Sequence, residues 1–288
     1  MKEITQFAPA KINLYLHITG RRADGYHDLD SLVAFADIGD TVHLWTAPHF
    51  SFVVEGPQAS GLVGDDHAGN LVVQAARSLA ELTGHDLDIA FALVKNLPVA
   101  SGIGGGSSDA AAALRALAQH WGLDASDVRI MQAAARHGQD VPVCVRVENC
   151  YMTAVGVAPA PKLPKLGVVL VNPGKGLSTP LVYKEYREGG DAFSPAARLA
   201  GAPADAAALI AELKKRGNDL YAPACRLMPE IAGIIEAIEA TPGCLLARMS
   251  GSGATCFGLY ADKETAQKAA EALRADPPGW WVEAGETI

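Results

Sequence analysis

The chain has 288 residues, 49% of them hydrophobic, with 24 Lys plus Arg against 32 Asp plus Glu for a formal net charge of −8. That length has room for two domains with real cores, and the acidic balance argues against nonspecific binding to nucleic acid or an anionic membrane. Five cysteines, at 144, 150, 225, 244 and 256, are odd in number and include no CxxC pair, so neither a disulfide framework nor a zinc site is suggested.

No stretch approaches the ~20 apolar residues of a membrane span, and the start MKEITQFAPAKINLYL has no leader pattern, so a cytoplasmic protein is expected. A first strand is predicted near residues 10–18, with Ile12, Leu14, Leu16 and Ile18 on one face and Lys11, Asn13, Tyr15 and His17 on the other. The second face presents a lysine beside an asparagine; taken alone, it reads as the polar, solvated side of a half-buried strand. Residues 20–28 (GRRADGYHD) form a turn bending at Asp24 and Gly25, with Tyr26 and His27 exposed at its end. These aromatics either pack over a base or sugar or simply decorate a hairpin.

Further strands are predicted near 41–46, 50–54 and 87–95, and helices near 69–83, 109–121 and 126–137. Apolar runs at 141–147 and 151–155 read as two more strands. Pro159, Pro161 and Pro164 then mark a linker, placing a boundary near residue 160 between domains 1–160 and 161–288. Beyond it come a buried strand at 167–171, helices at 204–215, 218–227 and 229–239, a strand pair at 245–249 and 255–260, a helix at 263–275 and a strand at 280–283. Helices mixed with antiparallel strands indicate an α+β second domain.

Between the strand at 87–95 and the helix at 109–121 lies the most informative segment, GIGGGSS at 102–108. Gly102, Gly104, Gly105 and Gly106 remove the Cβ atoms that would hold a polyanion away from the backbone, and the helix start aims free N–H groups at it. Ser107 and Ser108 add hydroxyls for phosphate oxygens or a magnesium ion. The loop is not a Walker A, since no Gly-Lys-Ser/Thr follows, and Ser107 breaks the Rossmann spacing. The plain alternative is a flexible turn closed by a Ser or Asp N-cap.

Asp140, in HGQDVPV, lies between a turn and an apolar run, a place suited either to an acid at the floor of a cleft or to helix capping. A second glycine loop, SGSGA at 250–254, stands between two apolar strands and either approaches the first loop or forms a tight hairpin.

Together PAKINLYL near the start, LPVASGIGGGSSDAAAAL in the middle and SGSGATCFGLY near the end resemble the GHMP kinase superfamily. The resemblance spans almost the whole chain, and GRRADGYHDLDSL, the triple glycine and GQDVPV place it nearest the branch that phosphorylates a cytidyl-linked polyol for non-mevalonate isoprenoid synthesis. It implies an α+β, two-domain architecture: a ribosomal protein S5 domain 2-like N-terminal domain, a ferredoxin-like C-terminal domain and an active site between them. It implies ATP and Mg2+ as cofactors, without assigning the metal's ligands. Asp140 is then the base and Lys11 the residue that orients the hydroxyl. Asn70, Lys95, Pro98, Gly102, Gly104, Gly105, Gly106, Ser107 and Ser108 border ATP. Asn13, Tyr26, His27, Tyr183, Gly251, Ser252 and Gly253 border the acceptor, Tyr183 as a ring stacked on cytosine. His137, Gln139 and Val157 depart from the usual pattern. The rival readings are a GHMP enzyme acting on mevalonate, homoserine or diphosphomevalonate, a noncatalytic nucleotide-binding protein, and a Rossmann dehydrogenase.

Overall fold

A computed structural model describes residues 3–23, 25–62, 68–190, 192–275 and 279–288. The chain divides into two compact units, Met1–Ala10, Gly39–Val99 and Gly104–Glu148 forming one, and Lys11–Ile38, Ala100–Ile103 and Asn149–Ile288 the other. Strands β1 (Ile4–Arg21) and β2 (His27–Thr46) each contribute residues to both. The boundary placed near residue 160 by the proline cluster lies inside the last of these stretches. Asp24, half of the expected bend, lies outside the described residues.

In the first unit, β3 (Ser51–Glu55) pairs parallel with β4 (Ile89–Val94), which pairs antiparallel with Thr41–Thr46 of β2. Between β3 and β4 runs α1 (Leu71–Thr83), capped by Asn70 at its start and by left-handed Gly84 at its end. Val72, Val73, Ala76, Leu79 and Ala80 give it a buried stripe at helical spacing. Alanine dominates α2 (Gly105–Trp121), where residues 110–113 and 116–118 are buried. Short side chains let α2 pack against α1, α3 (Val128–Ala135) and α4 (Asp140–Arg146) at once.

Helix α4 corrects the reading of 141–147 as a strand. A short apolar run has the same composition in a buried helix and in a buried strand, and Pro142 falls in the first turn, where its missing N–H is harmless. Arg115 of α2 donates to the Cys144 carbonyl at 2.8 Å, satisfying an end of α4 that β pairing would otherwise have served.

In the second unit, Asp30–Val33 of β2 pairs with β5 (Cys150–Thr153), and β5 with β6 (Gly156–Pro159). A separate antiparallel sheet holds β7 (Gly167–Asn172), β8 (Leu246–Met249), β9 (Cys256–Tyr260) and β10 (Trp281–Glu286) in the order β10-β7-β9-β8. Taken as a four-strand set this is 4-1-3-2, the ferredoxin-like order. Helices α8 (Glu230–Glu239) and α9 (Lys263–Ala275) pack on this sheet, burying Ile231, Ile234, Ile238 and Leu273 against Val169, Val171 and Tyr260. Leu16 and Ile18 of β1 join the same core. Helices α6 (Ala206–Lys214) and α7 (Tyr221–Leu227) match the predicted ones, whereas α5 (Thr179–Glu188) and the first half of β2 had no sequence prediction. No helix is long and apolar enough to cross a membrane among the described residues. Cys144, Cys150 and Cys256 are buried thiols, and Cys225 and Cys244 are half-buried.

Candidate active site

Helix α2 starts earlier than predicted, at Gly105, and its cap residue is Gly104 with a φ of +66° and no side-chain capping bond. The Ser or Asp cap of the plain alternative is therefore not formed. Ser108 N already bonds Gly104 O at 2.8 Å, so the N–H groups that a helix start leaves over are those of Gly105, Gly106 and Ser107. This is the geometry that takes an anion. Ser107 is half-buried, whereas Ser108 is sealed and donates to the Pro9 carbonyl at 2.8 Å. Asn70 spends its Oδ1 on the Val72 N–H at 2.9 Å, and Leu71 beside it comes 3.5 Å from where a Gly106 Cβ would stand. The starts of α1 and α2 are thus neighbours.

Lys95 is buried rather than open. Its ammonium donates to Asp40 Oδ2 at 2.5 Å and to Asp109 Oδ2 at 2.7 Å. Asp40 Oδ1 in turn accepts the N–H groups of Asn96 at 2.5 Å and Leu97 at 2.8 Å. Burial opposes the Lys95 charge, but the two carboxylates outweigh it and raise its pKa, so the ammonium stays charged. Burial also raises the Asp109 pKa above the ordinary carboxylate value, with the Lys95 ammonium opposing and Asp40 reinforcing the shift. Pro98, next along the loop, is buried.

In the second unit the two glycine loops meet back to back. Ser250 Oγ donates to the Gly102 carbonyl at 3.1 Å and Thr255 N to the Ser101 carbonyl at 3.0 Å. A Cβ on Gly102 would fall 2.5 Å from the Ser250 carbonyl oxygen, and one on Gly251 would fall 2.6 Å from the Gly102 carbonyl oxygen. Gly253 has a φ of +83°, and Ser252 pairs its hydroxyl with that of Thr179 at 2.8 Å.

Strand β1 is stitched to both loops: Lys11 N bonds the Ile103 carbonyl at 2.9 Å and Asn13 N bonds Ser250 Oγ at 3.1 Å. Lys11, Asn13, Tyr15 and His17 are all buried, so the second face of this strand is not a solvated one. The Lys11 ammonium lies 4.0 Å from Met152 Sδ. Asn13 Nδ2 donates to Ser31 Oγ at 2.7 Å, while its Oδ1 is buried with no hydrogen-bond partner. An orphaned buried acceptor is costly unless something supplies a donor.

His27 and Tyr183 stack with ring centroids 5.0 Å apart, and Tyr186 meets His27 edge-on at 5.9 Å. Burial, with Arg187 and Arg21 nearby, lowers the His27 pKa, which keeps the ring neutral. Tyr26 is 65% exposed. Asp140 is the first residue of α4 and is half-buried. Sequence reasoning missed Asp40, Asp109, Ser31, Ser250 and Asn218, the last of which donates to the Met249 and Gly251 carbonyls at 2.8 Å each. Asp109 carried a visible signal, as the residue directly following the glycine and serine cluster, and Ser250 another, as the first residue of the second glycine loop.

Residues 70–147 match the GHMP kinases N terminal domain, and residues 200–279 match the GHMP kinases C terminal domain. A 4-diphosphocytidyl-2-C-methyl-D-erythritol kinase from Rhodospirillum rubrum is 47% identical over 287 residues, 99% of this chain and 93% of that one. The chain belongs to the 4-diphosphocytidyl-2-C-methyl-D-erythritol kinase family, within the GHMP kinases. A crystal structure of 4-(cytidine 5'-diphospho)-2C-methyl-D-erythritol kinase superposes with a TM-score of 0.80 at 32% identity, covering 99% of each chain. The homoserine kinase of Cytophaga hutchinsonii shares the fold, with a TM-score of 0.72 at 20% identity, covering 100% of this chain and 98% of that one. Family membership makes the protein an ATP-dependent kinase and sets aside the dehydrogenase and noncatalytic readings.

Three residues of the kinase depart from the usual pattern. His137 Nε2 is 2.8 Å from the Ser78 hydroxyl of α1, Gln139 precedes α4, and Val157 is a half-exposed residue of β6. The Ser78 contact makes His137 a tether for the turn that carries Asp140.

Proposed function

We propose that this kinase transfers the γ-phosphoryl group of ATP to the 2-hydroxyl of 4-diphosphocytidyl-2-C-methyl-D-erythritol, giving the 2-phosphate and ADP, in the cytoplasmic non-mevalonate isoprenoid pathway. The observation that carries the phosphoryl-transfer half is the uncapped start of α2, three glycine or serine N–H groups with no side chain in front of them. The acceptor follows the relatives' name, supported by the buried, unpaired Asn13 Oδ1, which a substrate hydroxyl satisfies, and by the His27 and Tyr183 rings, which offer a stacking surface to cytosine.

In this reading Asp140 takes the proton of the acceptor hydroxyl as its oxygen bonds to the γ-phosphorus, and the bond to the ADP oxygen breaks. Lys11 orients that hydroxyl and offsets charge on the transferring group. The N–H groups of Gly105, Gly106 and Ser107 stabilise the phosphate oxygens from a fixed position, which suits a reaction that needs positioning more than covalent help. Gly102 and Gly104 shape the loop, Asn70 and Pro98 border the nucleotide with Lys95 buried beside Gly105, and Tyr26, Gly251, Ser252 and Gly253 border the acceptor.

No group of three or more His, Cys, Asp or Glu side chains forms a metal cage among the described residues. Magnesium is commonly held through substrate phosphates with few protein oxygens. Ser107 is the loop hydroxyl open to it, since Ser108 is sealed against Pro9. When bound, the ion neutralises charge on the β- and γ-phosphoryl oxygens.

The test is a coupled ADP-release assay with ATP, magnesium and 4-diphosphocytidyl-2-C-methyl-D-erythritol, run beside mevalonate and homoserine. Release with the cytidyl alcohol alone is expected. Release with either of the others instead would keep the phosphoryl-transfer chemistry and discard the acceptor.

A further inference from the structure

Lys95 is committed to two carboxylates, and its side chain is 3% exposed between Asp40 at 0% and Asp109 at 4%. We propose that Lys95 is a positioning residue whose buried ammonium, clamped by Asp40 and Asp109, sets where α2 begins and so where the N–H groups of Gly105, Gly106 and Ser107 point. The proposal rests on the phosphate-binding reading above and deepens it.

The cluster joins both ends of the glycine loop. Asp40 holds the outgoing end through the Asn96 and Leu97 N–H groups, while Asp109 belongs to the second turn of α2. One ammonium bridges the two carboxylates, so the loop's exit from β4 and its entry into α2 are tied to a single point. Gly105 shows how close the fit is. Its φ is ordinary, yet a Cβ there would stand 3.1 Å from the Lys95 Nζ, so any side chain at this helical position presses on the ammonium.

The arrangement is a poor way to gain stability. Taking three charges out of water offsets most of their mutual attraction, and such clusters are commonly no more stabilising than apolar residues of equal volume. Asp109 Oδ1 is also left buried with no hydrogen-bond partner, a second uncompensated cost. What the cluster supplies is direction: an ion pair between rigid elements tolerates little displacement. Misplacing phosphate donors by even ~1 Å costs up to about a hundredfold in rate.

The experiment compares wild type with the triple variant Lys95→Met/Asp40→Asn/Asp109→Asn, in which no buried charge is left without its partner. Titration calorimetry with ATP and with GTP, without acceptor, reads the nucleotide site alone. The expected result is a triple variant that melts near wild type, loses about tenfold to a hundredfold in affinity by the same factor for ATP and GTP, and keeps its KM for the acceptor. Unchanged ATP affinity in the folded variant would overturn the proposal. So would a loss confined to ATP, which would make Lys95 an adenine contact. Gly105→Ala is the second variant, pressing a methyl onto the ammonium with every charge in place. It should weaken ATP and GTP alike, and wild-type affinity in it would equally overturn the proposal. A wrong acceptor shows separately, as wild-type turnover failing with the cytidyl alcohol while both nucleotide affinities are still measured.

Discussion

At Gly102 the backbone itself does the packing. A Cβ there would meet the carbonyl oxygens of Ser250 at 2.5 Å and Gly253 at 2.7 Å, and the φ of +77° is strained for any other residue. Gly102→Ala should cost ~2 kcal/mol or more, read as a lowered denaturant midpoint together with a raised KM for ATP. Asp140→Asn keeps the shape of α4 and removes the proton acceptor. A loss in kcat of about 10² to 10⁴ is expected, with both KM values within a few-fold; near wild-type kcat would remove Asp140 from the base role. His137 makes a different prediction. Burial and Arg136 lower its pKa, so the folded state binds its proton less readily than the unfolded state does. Its contribution is then fully present above the unfolded value near 6.5 and lost as pH falls through the lower folded value. His137→Gln should flatten the dependence of Tm on pH between about 7 and 5. Of these residues, Gly102 and Asp140 stood out in the sequence because their motifs are local; the pairing of His137 with Ser78, 59 positions away, did not.

At the scale of elements, the long periodic segments were read well. Helix α9 has the predicted bounds, and α1 and α8 agree within two residues, because a stripe at 3.6-residue spacing is a property of the segment itself. The failure at α4 has the opposite cause. A seven-residue apolar run is too short for period to decide, and its partner on α2 decided instead. The first half of β2 escaped notice for a similar reason: its residues find their faces only through pairing with β1 and β5. Asn70 illustrates how one residue serves an element and the candidate site at once. Asn70→Ala removes the N-cap of α1 and should lower stability by ~1 kcal/mol. Asn70→Asp keeps the cap and should restore Tm. An ATP affinity that recovers with the cap marks Asn70 as structural, and one that stays weak in Asn70→Asp marks it as a nucleotide contact.

At the scale of the whole chain, each compact unit is assembled from three separate stretches of sequence. The second unit's core takes Leu16 and Ile18 from β1 together with residues beyond 160. A fragment of residues 161–288 lacks those two side chains and two β1 backbone groups: Leu16 O, which accepts from Asp219 N, and Ile18 N, which donates to Asp219 Oδ2. It should show no cooperative thermal transition, and adding the N-terminal part should restore one; a sharp, independent transition in the fragment alone would mean that β1 is dispensable to this core. By itself the sequence determined the α+β class, the glycine loop before a helix, the order of most elements and, through three local motifs, the kinase family. These are carried by short-range pattern and chain sterics, which act before any long-range contact forms. Only tertiary structure decided that the polar face of β1 is buried, that α4 is a helix, and that Asp40, Lys95 and Asp109 share one buried point. Whether a charge faces solvent or a partner, and whether a short apolar run coils or extends, depends on what packs against it, and no window of sequence contains that neighbour.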